Sequence, residues 1–196
     1  VGAGATAASL YPAVGRAAEG SGLKTGETLE KELITRKIPS TGEQITAIGM
    51  GTWQTFNVGG DPKLRRARLQ VLESFFEHDG QMIDSSPMYG SSQSVVGWGL
   101  VQLGMPDSLF SADKVWTRDG SATREQVEET GNEWNLETFD LMQVHNLLSW
   151  QAHLETLKKM KEAGEIRYVG ITTSHGRRHR EFARVMRNHD IDFVQL

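Results

Sequence analysis

The sequence contains no cysteine, which excludes a disulfide framework, a thiolate metal site and a cysteine nucleophile. It also lacks an excess of basic charge: 21 Lys and Arg stand against 25 Asp and Glu, for a net charge of -4 and a pI near 5.9. The electrostatic footprint of a nucleic-acid binder, or of a protein held on an anionic membrane, is therefore missing. No run approaches the ~20 continuous apolar residues of a membrane span. At 196 residues the chain can bury roughly 70% of its unfolded surface as one compact unit, and it needs neither disulfides nor a structural metal to fold.

What is present begins with a leader. Residues 1–20, VGAGATAASLYPAVGRAAEG, are mostly small and apolar, and the text does not start with methionine. Such a stretch resembles the apolar and cleavage regions of an export signal; the other reading is an unstructured Ala/Gly leader. The expectation is a leader over 1–32 and a folded domain over 33–196. Export would place the protein in the periplasm, by a twin-arginine route if an arginine pair precedes Val1; without a signal it is cytoplasmic.

From residue 33 the pattern is regular. Two β-prone runs flank Ser40-Thr41-Gly42 and read as a hairpin. Strand-like apolar runs follow at 46–53, 81–86, 109–116, 139–146, 166–172 and 192–196. Between the first two, Leu64, Ala67, Val71, Leu72 and Phe75 fall on one helical face; between the fourth and fifth, Trp150, Leu154, Leu157 and Met160 do the same, and Gly164 is placed to close that helix. Thr123 and Gln126 fit a capping box. Runs starting 26 to 35 residues apart, each followed by a helix, mean βα repeats and a parallel sheet.

A doubly wound dinucleotide fold would turn its glycine-rich fingerprint directly into a helix. Here GMGTW runs into the loop text QTFNVGGDP, so the (β/α)8 TIM barrel with an N-terminal β-hairpin is the expected α/β architecture. Eight units usually need about 250 residues. The text covers about the first six strands and is expected to be an incomplete barrel.

In such folds functional groups gather at the C-terminal ends of the strands. The second run ends on Asp84 with Tyr89 in the following loop, the third carries Lys114, and the fourth ends on His145. Each alone reads as a loop cap, a surface aromatic, a solvated strand end or a core histidine. Together they place ionisable groups at three successive strand ends, and the functional reading becomes the better one. A cation beside a phenol favours the phenolate and lowers its pKa from ~10. A carboxylate would hold the lysine, and a neutral imidazole can donate to a substrate oxygen. The set suits proton delivery to a carbonyl oxygen.

The motifs GMGTW, MIDSSPMYG, KVW, DLMQVHN, IRYVGIT and FVQL resemble, in order and spacing, those of the aldo/keto reductase superfamily, and the chain looks like its bacterial, signal-bearing branch over residues 33–196. The resemblance implies a (β/α)8 barrel and NADP(H)-dependent reduction of small-molecule aldehydes or ketones by hydride transfer. By position it makes Tyr89 the general acid, Lys114 the residue tuning it, Asp84 the partner of Lys114, and His145 the residue orienting the carbonyl. Thr52, Trp53, Asp84, Asn146 and Gln195 match cofactor-side positions. Thr172 and Thr173 stand where many members have Ser-Asn. Asp113 replaces a common threonine on the side of the strand away from Lys114 and is expected to be harmless.

The family's phosphate-binding loops follow later strands. The i, i+4 pair His175 and His179, in HGRRHRE, reads as a solvated basic helix start and not as a metal site. The alternatives to a reductase are a nucleotide-binding or scaffold protein on the same barrel, or an inactive truncated product.

Overall fold

Two short strands, β1 (Thr35–Lys37) and β2 (Gln44–Thr46), pair antiparallel as the expected hairpin. Gly42 closes its turn at φ 77°, a left-handed conformation that glycine adopts without a Cβ clash. The computed structural model describes residues 33–196; the leader expected over 1–32, and the export it would direct, lie outside the described residues.

Six strands then form one parallel sheet in strictly sequential order: β3 (Met50–Gly51), β4 (Met82–Asp84), β5 (Phe110–Val115), β6 (Phe139–Val144), β7 (Ile166–Thr172) and β8 (Phe193–Gln195). A doubly wound sheet reverses its strand order part-way; this one does not, and it curls as a partial (β/α)8 barrel. Five helices connect the strands: α1 (Pro62–Glu77), α2 (Ser92–Gln102), α3 (Thr123–Trp134), α4 (Trp150–Glu162) and α5 (His179–Asn188). Among the described residues no helix is long and apolar enough to cross a membrane.

Strand alternation sorts the side chains into two cores. Ile83, Val115, Met142, Val144, Val169 and Ile171 pack outward against the helices. Phe110, Ala112, Leu141 and Tyr168 face inward, where Ile38 of the hairpin seals them. Residues of the inward set continue along the same strands to the opposite rim, and this alternation carries Asp84, Lys114, Gln143 and Gln195 onto the inner face.

Local signals explain two helix ends. Asp61 caps α1, accepting from Lys63 N at 2.8 Å and Leu64 N at 3.0 Å, with Pro62 in the first turn. The expected stripe of α4 is buried throughout, and Gly164 lies just past its end at φ 77°. Two expectations fail. On α1, Leu72 is buried, but Leu64 and Val71 are 42% and 45% exposed, so the stripe is covered only in part. The capping box at α3 is not made: the N-cap is Ala122. A one-turn 3-10 helix, Gly120–Ala122, precedes α3 and is capped by Asp119. Thr123 Oγ1 instead lies 2.8 Å from both Gly120 O and His153 Nδ1, and Gln126 Oε1 accepts from Trp116 N at 2.6 Å.

Candidate active site

Inward positions of β4, β5 and β6, read up to their C-terminal ends, meet at one mouth. Lys114, with no exposed surface, points its Nζ at Asp84 Oδ2, 2.5 Å away, and donates to Ser85 O at 2.7 Å. Asp84 Oδ1 accepts from Gln143 Nε2 at 3.0 Å, and Gln195 Nε2 lies 3.4 Å from Oδ2. The carboxylate is thus fixed from three strands, and the ammonium it holds sits 5.1 Å from the Tyr89 ring centroid.

Tyr89 ends a 3-10 turn, Pro87–Tyr89, whose N-cap Ser86 accepts from Met88 N at 3.2 Å. Gly90 follows at φ 63°, where an added Cβ would lie 2.5 Å from Asn57 Oδ1, so the loop passes as close to Asn57 as a glycine permits. The Tyr89 ring meets His145 edge-on at 5.8 Å between centroids and lies 6.5 Å from Trp53.

Burial, and next the charge of Lys114, push His145 down to about 4, so its imidazole is neutral near pH 7. Its Nδ1 lies 2.7 Å from Ser86 Oγ. That oxygen can accept from Met88 N and still donate its own hydrogen to Nδ1; in that arrangement the imidazole proton is on Nε2. His145 is thereby a neutral donor. For Tyr89 the expectation of a lowered pKa is corrected: the phenol is held above its ordinary value, because burial outweighs the pull of Lys114, and Asp84 adds to the rise. An ammonium only 2.5 Å from a carboxylate presents a partly cancelled field to the phenol.

The remaining positions named from the sequence surround this centre in different ways. Trp53 is 60% exposed beside Tyr89, and Gln195 is exposed at the end of β8. Thr52 is fully buried; its hydroxyl lies 3.0 Å from Asp84 O and 2.9 Å from Ser85 Oγ, joining the exits of β3 and β4. Thr172 and Thr173 are buried too. Thr172 Oγ1 accepts from Asn146 N at 2.9 Å, Thr173 Oγ1 donates to His175 O at 3.1 Å, and Asn146 Oδ1 accepts from Ser174 N at 2.8 Å. The two bonds of Asn146 tie the loop after His145 to the exit of β7.

In that loop Asn146, Leu147 and Ser149 are left-handed, with φ of 53°, 53° and 44°, a conformation that costs non-glycine residues. Arg178, expected to be solvated, folds back instead: its Nη1 donates to Asn146 O at 2.9 Å and Leu147 O at 2.8 Å, while Nε and Nη2 engage Glu181. Sequence reasoning missed Ser86, Gln143 and Arg178. Gln143 could have been found, because it is two residues before His145 and so shares its face. Among the described residues no group of His, Cys, Asp or Glu is arranged to hold a metal ion.

The sequence pattern of the Aldo/keto reductase family matches residues 47–196. The aldo-keto reductase YhdN of Bacillus subtilis is 27% identical over 150 residues, covering 69% of this chain and 45% of that protein. The L-galactose dehydrogenase of Arabidopsis thaliana is 26% identical over 152 residues, covering 70% and 47%. The chain thus spans about half the length of these relatives. Among solved structures, the glycerol dehydrogenase of Gluconobacter oxydans superposes with a TM-score of 0.68 at 20% identity, covering 82% of this chain and 54% of that one. An aldo-keto reductase from Klebsiella pneumoniae, solved in complex with NADPH, gives 0.64 at 21%, covering 81% and 55%; at such identities the likeness is one of fold. A matched pattern over most of the domain, on a sequentially ordered parallel sheet, makes this chain a member of the aldo/keto reductase family.

Proposed function

We propose that the protein is an oxidoreductase that reduces the carbonyl of a small aldehyde or ketone to an alcohol, with NADP(H) as cofactor and Tyr89 as general acid. The observation that carries this reading is the buried Lys114 ammonium, 2.5 Å from Asp84 Oδ2 and 5.1 Å from the Tyr89 ring, with neutral His145 edge-on to the same ring. A carbonyl oxygen at that mouth has two donors available, the Tyr89 hydroxyl and His145 Nε2–H. As negative charge develops on the oxygen, His145 stabilises it and the Tyr89 proton moves to it. The phenolate left behind is stabilised by Lys114, which Asp84 and Gln143 hold in place. The raised Tyr89 pKa keeps the acid protonated before reaction, as reduction requires.

The reduced nicotinamide, when bound, supplies the hydride to the carbonyl carbon. Trp53 and Gln195 are the exposed groups suited to it, an aromatic face and a carboxamide able to pair with an amide, and Asn146 adds a second carboxamide. The chemistry of these residues fits the group. Thr52, Thr172 and Thr173, with hydroxyls engaged within the protein, would act by shaping the wall. The presence of NADPH in a structural relative's complex supports the choice of cofactor.

The test is NADPH consumption by the full-length protein with a panel of aldehydes and quinones, followed by NADPH absorbance, for wild type and Tyr89→Phe. The variant is expected to lose roughly 10²–10⁴-fold in turnover while still quenching on NADPH addition. Absent wild-type turnover points instead to a nucleotide-binding scaffold, and full activity without the phenol removes Tyr89 as the general acid.

A further inference from the structure

Strand alternation turns the residue before Lys114 away from the mouth, into the layer between sheet and helices. Asp113 is there, with none of its surface exposed, and it is far from inert. Its Oδ1 accepts from Lys114 N at 2.6 Å; its Oδ2 accepts from Trp134 Nε1 at 2.8 Å and Gln93 Nε2 at 3.1 Å. The same Gln93 nitrogen lies 3.2 Å from Thr130 Oγ1.

All three neighbours donate. A protonated carboxyl would turn its own O–H against one of them, whereas a carboxylate accepts from each. A threonine, which the family resemblance leads one to expect here, offers a single acceptor oxygen. The site is therefore built for an anion, yet no cation is hydrogen-bonded to it among the described residues. From β5 it faces the charge of Lys114 and from β4 that of Asp84, while α2 and α3 contribute the neutral Gln93, Thr130 and Trp134. Burial opposes the charge more strongly than these bonds favour it and pushes Asp113 up to about 7.

The donors are delivered by an unusually close approach of α2 to α3. A Cβ on Gly97 would lie 1.9 Å from Glu133 O and 2.7 Å from Trp134 Cα. Only glycine lets the two helices meet at this distance, and the approach brings Gln93 and Trp134 onto one carboxylate oxygen.

We propose that Asp113 is a positioning residue of this site: its carboxylate pins the Lys114 backbone amide to α2 and α3, and its charge, opposing that of Lys114, helps keep the proton on Tyr89. Only the consequence for turnover rests on the reductase reading. The Lys114 and Asp113 side chains flank the strand from opposite faces, so the anion acts on the phenol through space and not through contact, and its sign is that of Asp84.

The experiment uses the full-length protein. The Trp134 indole N–H resonance, identified by its loss in Trp134→Phe, is followed by nitrogen-15 NMR from about pH 5 to about pH 9, spanning the ionisation of Asp113. It is expected to move with one inflection near pH 7 in wild type and to stay flat in Asp113→Asn. With carbon-13 in the tyrosine ring, Tyr89 (assigned by Tyr89→Phe) is expected to ionise at a pH roughly 0.3 to 1 unit lower in Asp113→Asn than in wild type.

A Trp134 indole resonance left in place by Asp113→Asn, or a Tyr89 midpoint unmoved by that substitution, overturns the proposal. If Asp113→Asn does not fold, Asp113→Thr replaces it, and the wild-type indole still decides whether the carboxyl titrates. Absence of turnover in the wild type would refute the reductase reading while both NMR results stand.

Discussion

Lys114 is held by two acceptors and exposes nothing to water, so its replacement tests chemistry and stability together. Lys114→Met leaves Asp84, whose side chain is 14% exposed, as a nearly buried carboxylate without its cation. Breaking such a pair from one side costs about 3 kcal/mol, and turnover should vanish because the nascent phenolate loses its counter-charge. Adding Asp84→Asn removes the orphaned charge and keeps an acceptor for Gln143 Nε2. The double variant should recover more than half of the lost stability by urea unfolding and none of the activity. Recovery of turnover along with stability would mean that Lys114 acts only as a structural ion pair. Such a separation is available because no hydrogen bond joins Asp84 to Tyr89 among the described residues, whereas the Lys114 ammonium lies 5.1 Å from the ring centroid.

Elements rather than residues decide how tightly the outer layer closes on that site. The approach of α2 to α3 at Gly97 is backbone against backbone, and backbone cannot swing away as a side-chain tip can. Gly97→Ala should force the helices apart, at about 2–3 kcal/mol in line with overpacked cores, and withdraw Gln93 and Trp134 from Asp113. Gly60→Ala is the matched control: its Cβ would meet nothing within 4 Å and its φ is not left-handed. Denaturant midpoints should separate the two clearly, and equal midpoints would show that the α2–α3 contact relaxes freely.

The strands themselves could be read from the text, because parallel strands covered on both faces appear as continuous apolar runs. Each of the six runs contains one, although 46–53 shrinks to Met50–Gly51. Asp84, Lys114 and His145 were recoverable because they lie at or near the C-terminal ends of such runs. Asp113 was visible as a residue but not as a buried anion, since its partners Gln93 and Trp134 lie 20 and 21 positions away on two different helices, with no periodicity linking them. The Arg178 clamp was hidden for the same reason, and the α3 cap was misread because a 3-10 turn had already taken over the role that Thr123 seemed placed to fill.

For the whole molecule, two buried groups have folded-state pKa values displaced in a way that makes their contributions to stability oppose each other. Asp113 is raised from 3.8 to about 7, so between these values the folded protein holds a proton that the unfolded chain has released; this contribution is complete at low pH and is lost as pH rises through the folded value. His145 is lowered from 6.5 to about 4, so between these values the unfolded chain holds the extra proton, and stability is gained as pH rises. From about pH 4.5 to about pH 6.5 the two slopes cancel, at up to ~1.4 kcal/mol per unit each. Wild-type stability should be nearly flat across this window, because Glu43, Glu155, Glu181 and Asp192, all with lowered pKa, lose their contributions only further into acid. Asp113→Asn removes the falling slope, so that variant should become more stable from pH 4.5 to 6.5; His145→Gln removes the rising slope and should do the reverse. Urea unfolding of full-length wild type and both variants at these two pH values measures the slopes directly. Parallel pH responses in the two variants would show that Asp113 and His145 do not carry these opposed titrations, and so that the Lys114 strand is not flanked by an ionising acid on one face and a neutral imidazole on the other.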